Sequence, residues 1–517
     1  MTVVQSRLLG LLALAGAALA QPAQAQYAQP YQSSLRSEFG EAATQREALR
    51  GGVFEARVDA AMYYINNMEL TPDSVDAVNQ FGLELAPGFY AAYNSARAQG
   101  AIDYSLIGRG WEDSDYNDMA QRLSANGDYA IVPELLFIRG SAGYDDAIVD
   151  QTRGANYGGY GIFDGTNITE YATAAVNPYL QRRIRDFQLD ASYTYGRVWY
   201  LDEDEQDSLF VSNQDSVDQS ALLSFGTAEQ DRLVTMRGFY EWQASEFDQS
   251  PDYKYDRAGA EVGFRVVESL RLLADGGAES DLEESTEDGG LESGYWHVGF
   301  LWTPDSRTQL EARYGDRFFG SSWMMRLSRE VRIFTFEASY SEDPTVETRN
   351  LNMGEIDPGN LAPGVPAYDA AYLNAAPFVA RNAAVSMRAE GARTRIILRG
   401  YQDERDYIRS LAPDSTTTGA QFRLVRDLSA GTYGEFAFRY DDVENAVGYA
   451  GTDPGTDPDV LPTVVDTYQD QEYLLRLTYE AWVNLSPSFE VGYLKRTGQG
   501  DLNYDGYWLA LRARYTF

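Results

Sequence analysis

Cysteine is absent from all 517 residues. That excludes disulfides, a lipid-modified cysteine anchor and thiolate chemistry. Histidine occurs once, as His297. Helical periodicity is scarce, and past the first 25 residues no run is apolar enough to form a transmembrane helix, which takes about 20 residues. Positive charge is in short supply: 42 Lys and Arg against 78 Asp and Glu leave a net charge of −36. Such a chain gains nothing from counterion release on phosphate, so nucleic acid is excluded as a partner. With 37 Tyr and 23 Phe, the chain is too aromatic to be a disordered acidic tail.

The one long apolar run is "LLGLLALAGAALA", which follows Arg7 and leads into Ala18-Leu19-Ala20 and Ala23-Gln24-Ala25. A basic start, a short apolar stretch and an A-x-A site read as a secretory signal peptide over residues 1–25, cut after Ala25 or alternatively after Ala20. Residues 26–50 are polar and read as a flexible periplasmic tail, far too short for the plug of a TonB-dependent transporter.

From residue 51 on, apolar and polar residues alternate with a period of two. Tyr507, Leu509, Leu511, Ala513, Tyr515 and Phe517 share one face of the last segment, opposite Trp508, Ala510, Arg512, Arg514 and Thr516. The same pattern runs through Phe187–Tyr195, Phe436–Tyr440 and Leu475–Tyr479. Alternation alone means a strand with one wet face. Three further features decide between a soluble sandwich and a membrane barrel. The segments are long, whereas globular strands average about 5–6 residues and a tilted membrane strand needs about 9–11. Aromatics gather near segment ends ("YTYGRVWY", "GYWHVGFLW", "RYTF"), as interfacial girdles require. Connections alternate between tight ("VPE", "RIRD", "SREV", "AEGAR", "LSAG", "NLSPS") and long, acidic or Gly-rich ("LDEDEQDSLFVSNQDS", "DLEESTEDGGLES"). The expected fold is therefore all-β over 51–517: a transmembrane antiparallel up-and-down β-barrel with short periplasmic turns and long extracellular loops. The strand count expected is about 22, within roughly 18–24. The barrel must close its last strand on its first, and the outward Tyr515 and Phe517 belong at the periplasmic interface.

Two stretches resemble a known family. "GYWHVGFLWTPDSRTQLEARYGDRFFGSSWMMRLSRE" carries Trp302, Pro304, Arg307, Thr308 and Leu310, then Tyr314, Gly315, Arg317, Phe318, Phe319 and Gly320. This resembles the signature of PEP-CTERM-system-associated outer-membrane proteins. The stretch around Asn67, Pro87 and Gly88 resembles that family's opening, and Arg326, Arg329 and Arg332 stand where the family has a basic strand. The resemblance implies an outer-membrane β-barrel linked to exopolysaccharide synthesis and export, with polysaccharide and periplasmic export components as partners. It implies no catalytic residues. A terminal aromatic strand is also the end by which barrel-assembly machinery is thought to recognise its clients, which makes Tyr515 and Phe517 the expected assembly signal.

Chemistry is sparse. His297 alternates with Trp296 and Val298 and should face the lumen, poorly placed to serve as a general base, so no enzyme is expected. "DEDEQD" offers carboxylates to Ca²⁺, yet no D-x-D-x-D-G loop is present, and a solvated loop is the favoured reading. No metal or cofactor is expected. The informative residues are charged and inward: Glu311, Arg313, Arg317, Arg423, Arg439, Asp441, Arg476, Glu480, Arg512 and Arg514. Charge is tolerated only off the lipid face. These side chains serve either as cross-strand ion-pair ladders or as a conduit for a hydrated or anionic chain, and Trp508 either packs or stacks on sugar rings. A barrel this size has a lumen too wide for wall side chains to fill, and the loop 344–375 is the expected constriction. Three readings follow: exopolysaccharide conduit, general diffusion porin, or a closed surface scaffold with cation-binding loops.

Overall fold

The computed structural model describes residues 51–68, 70, 77–148, 168–201, 215–228, 232–247, 252–282, 290–346, 349, 377–408, 414–448, 464–480, 482, 484–498 and 503–517. The signal-peptide and tail readings, on 1–50, lie outside them. Within them the chain forms 22 strands. These are β1 (Gly51–Ile65), β2 (Gln80–Asn94), β3 (Ala98–Trp111), β4 (Asp118–Val132), β5 (Leu136–Ile148), β6 (Ile168–Ile184), β7 (Phe187–Tyr200) and β8 (Ser216–Thr227). They continue with β9 (Val234–Phe247), β10 (Tyr253–Val267), β11 (Leu270–Glu279), β12 (Ser293–Asp305), β13 (Thr308–Arg317), β14 (Gly320–Val331) and β15 (Phe334–Thr345). The last seven are β16 (Phe378–Glu390), β17 (Thr394–Tyr407), β18 (Ser415–Ser429), β19 (Thr432–Gly448), β20 (Val464–Tyr479), β21 (Leu485–Gly498) and β22 (Tyr504–Thr516).

Each strand pairs antiparallel with its sequence neighbours, and β1 closes on β22 from Arg57↔Thr516 to Ile65↔Trp508. The sheet is a closed 22-stranded up-and-down barrel with no free edge. Closure is reinforced beyond the ladder: Phe517 N–H donates to the Ala56 carbonyl at 2.9 Å, and the Arg514 guanidinium sits 2.7 Å from Asp59.

Parity assigns the faces. Leu509, Leu511 and Tyr515 are 38%, 55% and 41% exposed, while Trp508 and Ala510 between them are buried. The same holds around the ring, with Met62, Leu83, Phe225, Val262, Val298, Trp323, Leu398 and Leu475 on the outside. Outward aromatics meet near the turn rim (Phe187–Phe225 rings 5.2 Å apart, Tyr515–Phe517 4.9 Å) and again toward the loop rim (Tyr314–Trp323 4.5 Å). An apolar outer face between aromatic girdles is the surface a bilayer requires of a strand-built span. No described helix is long and apolar enough to cross a membrane; the strands would do so.

Turn placement departs from the sequence reading at two points. The β14–β15 turn is Arg332–Ile333, not 328–331, and the β20–β21 connection is 480–484, with Leu485–Ser488 already in strand. The first contains no Gly, Pro or Asn to signal it; Arg332 itself adopts the left-handed conformation, φ 57°, as does Arg185 (φ 56°) in the β6–β7 turn. The loop rim has one very short connection, Phe318–Phe319 between β13 and β14.

Candidate functional site: the charged inner wall

The inner face is built of ion pairs that cross strands. Arg313 reaches Glu261 at 2.7 Å, Asp275 at 2.9 Å and Glu311 at 2.7 Å. His297 Nδ1 lies 2.9 Å from the other oxygen of Asp275, so the single histidine belongs to this cluster. Arg439 pairs with Asp441, which also accepts the Tyr401 hydroxyl. Arg476 bridges Glu490 and Glu435, the latter at 3.3 Å and shared with Arg423 at 2.8 Å. Arg512 donates to the Tyr63 hydroxyl at 3.0 Å and lies 3.9 Å from Glu490. Arg514 spans the seam to Asp59. The sequence-selected charged residues thus sit on the inner face and have partners, except Glu480, which follows the end of β20 and is held, among the described residues, only by its backbone N–H to the Gly431 carbonyl.

Arg317 is a special case at the loop rim. Its side chain is 2% exposed and that of Glu279 is fully buried. Glu279 accepts from Arg317 Nη2 at 2.9 Å, from the Tyr255 hydroxyl at 2.6 Å and from Phe318 N–H at 3.1 Å. Arg317 also donates to the Glu342 carbonyl at 2.9 Å. This group is sealed from the lumen and ties β10, β11, β13 and β15 together.

Among the inward guanidinium groups that escaped the sequence reading are Arg57, Arg109 and Arg496. Arg57 holds both oxygens of Asp103 at 2.6 Å and the Ser105 hydroxyl at 2.8 Å. Arg109 joins Glu84 (3.1 Å) and Asp118 (2.8 Å). Arg496 holds Asp470 at 2.6 Å with its plane 3.8 Å from the Tyr468 ring centroid. Parity with Ile107, Trp508 and Leu474 was the available signal; the cross-strand partners were not.

Two loop roots fold onto this wall. On one side Met68 and Leu70, after β1, pack over Tyr63, Ile65, Trp111 and Trp508. Asn67 Nδ2 donates to the Asp505 carbonyl at 2.9 Å and anchors that root. On the other, Val346, after β15, is fully buried against Phe247, Tyr253 and Tyr255. Arg349 then reaches the Gln219 carbonyl at 3.1 Å. The two clusters centre on the β22–β1 seam and on β10–β11, about half a turn of the ring apart. Of the expected constriction 344–375, the root through Val346 and Arg349 is described; 347–348 and 350–375 lie outside the described residues. Trp508 is 0% exposed and its ring lies flat on Gly492, so it packs and offers no face to a passing sugar.

Among the described residues no group of three His, Cys, Asp or Glu is placed to hold a metal ion. The acidic segments 202–214 and 283–289 lie outside them. No family model and no curated protein matches the chain. Among solved structures, a variant of the FrpB iron transporter from Neisseria meningitidis aligns over 90% of this chain and 82% of its own, at 8% identity and TM-score 0.41. OccK1 (OpdK) of Pseudomonas aeruginosa aligns over 90% and 98%, at 9% identity and TM-score 0.34. An anion-selective porin from Comamonas acidovorans aligns over 90% and 99%, at 6% identity and TM-score 0.34. Likeness at this level says nothing about what this chain carries; the barrel stands on its own strand pairing.

Proposed function

We propose that this protein is an outer-membrane channel that passes hydrated polar solutes, and that in the cell its cargo is exopolysaccharide. One observation supports the channel reading above all: a closed cylinder whose outer face is apolar and whose inner face carries charge that is mostly paired. Charges held in pairs keep a wall wettable without imposing a strong field. The inward loop roots on opposite sides of the ring supply a constriction that sets the passing size. The exopolysaccharide reading is finer and rests on the resemblance of residues 294–330; the general diffusion porin is its competitor, favoured by the narrowing that the loop roots impose. Tyr515 and Phe517, outward at the turn rim, are proposed to present the closing strand to the assembly machinery.

Planar-bilayer conductance of the purified barrel tests the channel. Residues 350–376 are then removed with Val346 and Arg349 kept. The expected result is a stable open channel whose conductance rises on removal. A barrel that never conducts, with or without the segment, overturns the channel and favours the closed scaffold. For the cargo, a deletion strain that loses surface polysaccharide while keeping its small-solute permeability supports export; the opposite pattern supports the diffusion porin.

A further inference from the structure

Of the inward guanidinium groups that the ion-pair network leaves out, three lie together on neighbouring strands. Arg326 on β14, Arg388 on β16 and Arg399 on β17 point inward by parity, since their neighbours Trp323 and Leu398 lie on the outside, 51% and 46% exposed. None of the three makes an ion pair among the described residues; Arg399 leans over the Tyr401 ring at 5.4 Å. The inward arginines expected in the lumen, Arg313, Arg317, Arg423, Arg439, Arg476, Arg512 and Arg514, are by contrast each held by a carboxylate or a hydroxyl.

The register brings the three together. Arg399 faces Ser386, Arg388 lies two residues further along the same face of β16, and Arg326 faces Ser339, whose other neighbour is Ala384. With strands about 4.8 Å apart and about 3.3 Å per residue, the group covers roughly 10–20 Å of wall, within reach of one extended solute. All three sit in the turn-side half of the barrel, close to the strand ends Val331, Glu390 and Thr394. Acids are near. Glu311 faces Arg326 across the ladder but is committed to Arg313. Glu337 faces Ser386, whose hydroxyl lies 3.5 Å away, Glu330 faces Thr335, which in turn faces Arg388, and Glu390 lies two residues past Arg388, opposite Arg395. None of these acids closes on Arg326, Arg388 or Arg399, so three guanidinium groups stand open within one stretch of wall.

We propose that Arg326, Arg388 and Arg399 form an anion-contact patch at the turn-side end of the lumen, for solutes that carry carboxylate or phosphate. A guanidinium without a protein partner keeps its fork of N–H donors available, and that fork matches the two oxygens of either group. A wall meant only to be wet would be served by Gln or Ser, as at Gln309 and Ser328 nearby. The inference deepens the channel reading and rests on it, so its test carries two readouts.

The first readout is the reversal potential of single channels in a KCl gradient, with block by galacturonate and by inorganic phosphate. Arg326, Arg388 and Arg399 are changed together to Gln, and Arg329→Gln on the outer face serves as control. The chloride-to-potassium permeability ratio should fall by about threefold or more in the triple variant, as expected for removal of a charged ring, and stay unchanged in the control. Block by galacturonate alone assigns the patch to carboxylates, and block by phosphate alone assigns it to phosphate. Block by either, weakened in the triple variant, supports the patch; unchanged selectivity and block in the triple variant overturn it. The second readout is titration calorimetry of the detergent-solubilised barrel with the same two anions. If the barrel does not conduct, the channel reading fails, and the patch is then decided by heat: binding lost in the triple variant supports it, equal heats overturn it.

Discussion

Removing the Arg317 guanidinium exposes how the loop rim is held. Glu279 is fully buried and Arg317 nearly so. An Arg317→Met substitution keeps most of the packing against Phe319, over whose ring the guanidinium sits at 5.0 Å, but strands the Glu279 carboxylate. Breaking a buried pair by removing one partner costs about 3–5 kcal/mol. Glu279 keeps two other donors, the Tyr255 hydroxyl and Phe318 N–H. Each hydrogen bond to a charged group holds back about 1.5–3 kcal/mol, so the loss should fall at the lower end, about 3 kcal/mol. Arg317→Met with Glu279→Gln should recover most of it, because no buried charge is then left alone. The assay is urea unfolding of the folded barrel in micelles, read by tryptophan fluorescence and the heat-modifiable gel band. The single variant should unfold at clearly lower urea and the double variant near the parent. A single variant within about 1 kcal/mol of the parent would mean that water reaches Glu279 and that the rim is not sealed.

Two further perturbations probe the wall. Gly492→Ala would place its Cβ 1.9 Å from the Trp508 ring, so the ring must leave its bed, and a loss of about 1–3 kcal/mol in micellar unfolding is expected; an unchanged midpoint would show the ring is not wedged there. Arg57→Lys keeps the charge but loses the fork on Asp103, so it should cost about 1–2 kcal/mol in the same measurement, whereas full stability would mean that charge alone suffices.

Strand number and facing were legible because period-two alternation is a local signal. Tyr507 through Phe517 read correctly from parity alone, as did the inward position of His297. The β14–β15 turn was less so, because Arg332 takes a left-handed conformation that the sequence normally reserves for Gly or Asn. Partner assignments were not legible at all. Arg57 meets Asp103 across an intervening strand, 46 positions away, and Arg313 meets Glu261 at a separation of 52. Such contacts depend on the register of several strands at once, and a one-residue slip in any of them would move every charge to the other face. The Phe318–Phe319 turn was legible as a motif, but its burial under the root of the β15–β16 connection arises from a contact to Val346 that no local pattern encodes.

The distribution of charge follows from the same geometry. Forty of the 42 basic residues are arginine; Lys254 and Lys495 alone are lysine, and both fall on the outer face near the loop rim. Inside, a cation must satisfy a carboxylate on a neighbouring strand while leaving water room to pass, and a planar fork does this at fixed geometry where a mobile ammonium does not. Most interior charge is consequently cancelled locally, and the net charge of −36 belongs largely to the connections. An anionic solute approaching from the loop side meets repulsion, whereas in the turn-side half it passes the proposed contacts Arg326, Arg388 and Arg399 set among Glu330, Glu337 and Glu390.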